Sequence, residues 1–88
     1  MVQEKTMGLE YLNPERIERN PENPRLIFDE KLMQELTDSI NEIGILVPLI
    51  VFYDEERKKF VLLDGERRWR CALKLRLEKT PVNIIAKQ

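Results

Sequence analysis

The stretch Asp64-Gly65-Glu66-Arg67-Arg68-Trp69-Arg70 places two arginines in the first turn of a helical pattern, behind an apolar run, Phe60-Val61-Leu62-Leu63, and a glycine turn. A helix N-terminus carries roughly half a positive charge, so each cation there costs on the order of 0.3–1 kcal/mol at an exposed site. Free backbone N–H groups flanked by guanidinium groups suit a phosphate, the usual occupant of such a terminus. Residues 65–70 therefore read as an anion site, and the plainer alternative is a solvated basic helix face. A second candidate lies upstream, in Arg19-Asn20-Pro21-Glu22-Asn23-Pro24-Arg25. The residue before each proline is pushed out of the α region, so two Asn-Pro units force an extended, turn-rich path. Such a loop would fix the Arg25 guanidinium, either as a clamp on a ligand or as a solvent arginine on a connector.

Composition narrows the chemistry. The chain has 88 residues, 42% of them apolar and 35% charged, which suits one small α+β domain with a modest core. Net charge is −1, so nothing attracts the whole molecule to nucleic acid or anionic lipid. Residues 65–79 carry six cations and two acids, a local +4 that leaves −5 for the remainder. A basic patch on an acidic body fits a small polyanion better than a long DNA track. The absence of histidine removes zinc-finger and Ser/His triad readings. Cys71 is the single cysteine; no internal disulfide is available, and a cytosolic setting is expected. With no His to activate it, Cys71 reads as a packed thiol rather than a nucleophile. The N-terminal residues lack the apolar core of a signal peptide, and no apolar run is long enough for a membrane span.

The elements that must position these residues follow from periodicity. Residues 7–13 read as a short strand stopped by Asn13-Pro14, and residues 14–17 as one helical turn capped by Asn13, with Ile17 as its core contact. Residues 29–43 form the clearest helix, with Asp29 as N-cap and Leu32, Met33, Leu36, Ile40 and Ile43 as one core-facing stripe. Gly44 fits the left-handed position that ends such a helix. Residues 45–53 are nearly all apolar and predict a strand buried on both faces, starting at or after Pro48. Residues 54–58 make a charged hairpin turn to a strand over 59–64. A helix over 66–77 follows, with Trp69 as a core anchor, and then a break at Lys79-Thr80-Pro81 and a last strand over 82–85. The connection through this second helix is expected to be a crossover, right-handed if the strands it joins are parallel. The sum is a small single-domain α+β fold, a mixed sheet with two main helices.

Three motifs then give the chain a family resemblance. Asn20-Pro21-Glu22-Asn23-Pro24-Arg25 resembles the NPxNPR loop of ParB-type partition proteins; Ser39-Ile40 with Gly44-Ile45-Leu46-Val47-Pro48-Leu49 resembles their SI…GxxQP box; and Gly65-Glu66-Arg67-Arg68-Trp69-Arg70 resembles their GERRxRA signature. The chain is thus similar to the ParB N-terminal domain, within the ParB/sulfiredoxin superfamily that includes the ParB-like nuclease domain. The resemblance implies a nucleotide site for CTP or a similar triphosphate, with or without magnesium. Gly65, Glu66, Arg67, Arg68 and Arg70 would surround the phosphates, Arg25 would reach the same cleft, and Gly44 and Pro48 would lie near the nucleoside. Val47 stands where the family's box has Gln, which leaves the base open, and Cys71 replaces the motif's closing Ala.

The resemblance also implies a cytoplasmic, DNA-associated partition or regulatory protein. Residues 1–88 would be its N-terminal domain, with DNA bound through regions outside this chain and no membrane partner; a homodimer is compatible. Sulfiredoxin carries its catalytic Cys at the position of Glu66, so a glutamate there argues against that reductase chemistry. Relatives with nuclease or small-molecule phosphotransferase activity leave an enzymatic alternative, with CTP hydrolysis also open. Glu66 would then be base or metal ligand.

Overall fold

Alternating apolar residues build five strands here, and the register between them decides which side chains reach the core. The computed structural model describes residues 6–22 and 27–86. In chain order these are β1 (Thr6–Leu12), a 3-10 turn (Pro14–Arg16), β2 (Ile17–Glu18), α1 (Glu30–Ile43), β3 (Leu49–Asp54), β4 (Lys59–Asp64), α2 (Glu66–Lys74) and β5 (Thr80–Ile85). The mixed sheet has the order β1-β5-β3-β4-β2. Strand β5 runs antiparallel to β1 and parallel to β3, while β4 is antiparallel to β3 and parallel to β2.

Register places Leu49 beside Val82 and Val51 beside Leu62, so one sheet face gathers these four. With Leu12 and Ile17 they form the buried cluster, and Phe60, Trp69 and Ile84 pack against it. Burying each large aliphatic side chain is worth about 1.5–3 kcal/mol relative to exposure. Trp69 fixes α2 to this layer, because its indole N–H donates to the Pro14 carbonyl at 3.0 Å. Cys71 is fully buried where the two helices meet and accepts a hydrogen bond from the Thr37 hydroxyl at 3.2 Å. Both the core-anchor reading of Trp69 and the packed-thiol reading of Cys71 agree with this arrangement.

Local signals set the boundaries. The Asn13 side chain accepts from the Glu15 N–H at 2.9 Å, and Asp29 accepts from Lys31 and Leu32 at 2.8 and 3.1 Å, so both expected caps are formed. Asp54 accepts from the Glu56 and Arg57 N–H groups at 3.0 and 3.3 Å and closes the β3–β4 turn.

Several expectations require correction. The two-residue strand β2 escaped the sequence reading because so short a segment has no period to detect. The expected α1 stripe is not all core: Leu32 and Ile43 are exposed, and the buried positions are Thr37 and Ile40. One contact line against α2 is narrower than the full apolar stripe. Gly44 has positive φ (81°), but its ψ of −176° is extended rather than left-handed helical. That conformation is almost restricted to glycine and sends the chain straight toward β3.

Helix α2 stops at Lys74, and Arg76 reverses the chain at φ 54°, so β5 starts at Thr80. Pro81 therefore lies inside the last strand, opposite Tyr11, instead of breaking before it. The α2 connection leads from β4 to a strand antiparallel to β4, so the condition for a right-handed parallel crossover does not arise between those two.

On the sheet face opposite the core, Glu18 bridges Arg57 and Lys59, the latter at 2.9 Å. The Lys59 hydrogen bond is the main cause that holds the Glu18 carboxyl below its ordinary value, with the Arg57 and Lys59 charges adding to it and partial burial opposing. A carboxyl whose folded value is depressed stabilises the fold above its unfolded value, and loses that contribution as pH falls through the folded one. The melting temperature of wild type is thus expected to exceed that of Glu18→Gln at pH 6. The gap should close as the pH drops through and below 4.5 in a thermal unfolding series.

Candidate functional site

Gly65 opens the site. It caps α2 with φ 100° and ψ 28° and offers no side chain to the first-turn N–H groups. Its positive φ is one reason for glycine, and crowding is another. A Cβ at this position would lie 2.7 Å from Leu49 Cδ2 and 3.0 Å from Arg68 Nη2. The Arg68 guanidinium thus lies over the glycine, at the start of the helix. Its Nε is buried and has no hydrogen-bond partner among the described residues. A buried, charged donor without an acceptor is costly and calls for explanation.

Glu66 is held differently. Its side chain is only 11% exposed; Oε1 faces Arg19 Nε at 3.4 Å, and Oε2 faces Arg70 Nη2 at 3.0 Å. Arg70 Nε also donates to Oε2 at 3.2 Å. Phe28, just ahead of the Asp29 cap, supplies an aromatic wall. The Arg70 guanidinium sits 4.7 Å and that of Arg67 5.5 Å from its ring centre. Cation–π contacts at these distances hold both arginines on one side of the α2 start. Arg67 is nonetheless exposed, so its charge faces solvent.

The structure therefore gathers Gly65, Glu66, Arg67, Arg68 and Arg70 at the N-terminal end of α2. Leu49, immediately after Pro48, touches the Gly65 position, which brings the α1–β3 connection to the same end of the sheet. Gly44 is exposed with open space around it. Arg25 lies outside the described residues. Asn20, from the same loop, is buried and accepts from the Glu22 N–H at 2.9 Å, an Asx turn that starts the loop as its Asn-Pro chemistry predicts. Two site residues were missed by sequence reasoning. Arg19 stands first in an Asn-Pro stretch whose local pattern singles out only its last residue, Arg25, and Phe28 carries no signal beyond being an aromatic next to a cap.

Among the described residues, no group of three or more His, Cys, Asp or Glu side chains could hold a metal ion, and no helix is long and apolar enough to cross a membrane.

This sheet order, with a glycine-started helix presenting arginines, defines a small α+β domain of the ParB/sulfiredoxin class. Crystal structures bear out the fold. ParB from Caulobacter crescentus complexed with CTP-gamma-S superposes with a TM-score of 0.83 at 32% identity, covering 92% of this chain and 46% of that one. Sulfiredoxin from Arabidopsis thaliana gives 0.72 at 26% identity, covering 91% and 86%. Residues 1–88 match the ParB N-terminal domain family along their whole length, and the chain belongs to that family. Among full-length relatives, a nucleoid occlusion protein from Bacillus pumilus is 40% identical over 76 residues, which is 86% of this chain and 26% of that protein. The chromosome-partitioning protein ParB of Caulobacter vibrioides is 35% identical over 71 residues, 80% and 23% respectively. The chain spans about a quarter of the length of these relatives.

Proposed function

We propose that residues 65–70 bind the phosphates of a nucleotide, CTP or a similar triphosphate, and that this domain acts as the nucleotide-binding switch of a DNA-associated partition or regulatory protein. The observation that carries the reading is the buried, acceptor-less Nε of Arg68 above an uncapped helix N-terminus. A phosphate oxygen would satisfy that donor and the first-turn N–H groups together. The CTP-gamma-S complex of the Caulobacter ParB, which shares this fold, supports the ligand class. Arg67 and Arg70 add charge from the Phe28 side, and Arg25 would close the cleft from the Asn-Pro loop. Gly44 and Pro48 would border the nucleoside, with Val47 leaving the base unread by a side-chain amide at that position. DNA contact would fall to regions outside these residues, and the protein would work at the nucleoid in the cytoplasm. Calorimetric titration of the full-length protein with CTP, ATP and GTP, with and without magnesium, tests the reading: saturable heat is expected with at least one triphosphate, and none with any of them rejects it.

One observation favours a second reading as an enzyme, a nucleotide hydrolase, nuclease or phosphotransferase. The Glu66 carboxylate is held in a fixed place by two arginines beside the same helix terminus. It would serve as the base for an attacking hydroxyl or water. Glu66→Gln would then lower turnover by about 100-fold or more, within the usual range for a general base, while triphosphate affinity changes little. Phosphate release or DNA cleavage equal to that of wild type would remove Glu66 from the chemistry.

A further inference from the structure

A second concave site lies at the opposite end of the sheet from Gly65. Helix α2 covers the β3 start and the β4 end, whereas the β3–β4 hairpin and the end of β5 carry an open groove of about 830 Å³. Its floor is apolar and comes from the core face: Tyr53 and Phe60 are register partners whose rings meet edge to face at 5.0 Å, and Ile84 continues the same face on β5. The rim is acidic, with Glu10 from β1 and Glu55 and Glu56 from the hairpin turn. None of these three carboxylates makes an ion pair among the described residues.

Three of the nearby cations have partners, and Lys58 of the turn is exposed. Lys59 and Arg57 turn to Glu18 on the other face, and Arg16 stacks on Phe60 with its guanidinium carbon 5.6 Å from the ring centre. The turn itself is held by the two Asp54 hydrogen bonds. The turn backbone and the Tyr53–Phe60 ring pair are therefore in place before any partner arrives, and a preformed floor costs less ordering entropy on binding.

We propose that this groove is a docking site for a basic–apolar peptide segment of a partner protein. One large apolar side chain would enter over Tyr53, Phe60 and Ile84, and flanking Lys or Arg residues would meet Glu10, Glu55 and Glu56. The volume falls within the usual range for sites that enclose a small ligand. Complementary rim charges favour encounter with a cationic segment and disfavour acidic ones. The phosphate site lies at the far end of the sheet with the opposite charge, so one domain would present an anion-binding end and a cation-binding end.

The test uses a fluorescein-labelled Lys/Arg-rich nonapeptide with a central Leu, and two controls: the same peptide with its basic residues changed to Glu, and with Leu changed to Ser. Fluorescence anisotropy should give saturable binding of the basic–apolar peptide to the full-length protein, weakened at least tenfold by raising salt from 50 to 500 mM and by either control sequence. In NMR spectra the shifts should fall on Tyr53, Phe60 and Ile84. The exposed triple substitution Glu10→Lys/Glu55→Lys/Glu56→Lys should weaken binding at least tenfold while thermal unfolding and triphosphate titration stay as in wild type. The proposal fails if the basic–apolar peptide does not bind, if the acidic control binds as well, or if the shifts fall on Arg67 and Arg68 instead. It also fails if sedimentation shows that the groove is filled by a second copy of the chain.

Discussion

Arg68→Ala is expected to weaken triphosphate binding about 10- to 150-fold while leaving the fold intact. One charge-assisted hydrogen bond is worth about 1.5–3 kcal/mol in net terms, and each 1.4 kcal/mol equals a factor of ten. Two features set Arg68 apart from its neighbour. Its Nε is already out of water and without an acceptor, so part of the desolvation cost is met before the ligand binds. Its guanidinium also lies against Gly65, where the first-turn N–H groups converge. Arg67 is exposed and packed on Phe28, so its charge is screened, and Arg67→Ala should cost no more than about fivefold in the same titration. Because the buried Arg68 Nε has no acceptor in the free protein, its removal forfeits no hydrogen bond there, and the melting temperature should stay close to that of wild type. Equal losses from Arg67→Ala and Arg68→Ala would mean that the helix end attracts phosphate only as a diffuse positive field. Unchanged affinity in both would reject the phosphate site.

Much of the candidate site's layout was legible because it rests on local chemistry. The misfit of arginines at a helix start is visible in six consecutive residues, and the structure sets those residues around one helix terminus. The caps at Asn13 and Asp29 and the hairpin between β3 and β4 are likewise short-range devices, read from the residue that supplies each hydrogen bond. What was not legible depends on contacts far apart in sequence. The Arg19–Glu66 pair joins a loop to a helix across the fold, and nothing in Arg19-Asn20-Pro21 distinguishes which arginine turns inward. The partner of β2 is β4, and two residues carry no pattern of their own. The exposure of Leu32 and Ile43 shows the reverse limit, since periodicity gives a stripe but not how wide a neighbour covers it.

Gly65→Ala is the change expected to damage both fold and site. An alanine at φ 100° adopts a backbone state that costs L-residues roughly 1–2 kcal/mol. The added Cβ would also stand 2.7 Å from Leu49 Cδ2, closer than carbon atoms pack. Leu49 is fully buried at the centre of the core and cannot retreat without disturbing Val51 and Val82, so overpacking adds about 1–3 kcal/mol. A loss of about 2–5 kcal/mol would lower the melting temperature by roughly 8–40 °C, at about 4–8 °C per kcal/mol for a domain of this size. Gly44→Ala separates the two causes. Gly44 also has positive φ, but a Cβ there meets nothing within 4 Å, so that variant bears the backbone cost alone, about 1–3 kcal/mol, with no crowding added, and should melt above Gly65→Ala. Binding should divide the pair more sharply. At Gly65 the new methyl meets Arg68 Nη2 at 3.0 Å and pushes the guanidinium off the helix terminus, so affinity should fall about as far as in Arg68→Ala, measured below the melting transition. If Gly65→Ala melts lower yet binds triphosphate as wild type does, the phosphates are not held where Arg68 crosses the start of α2.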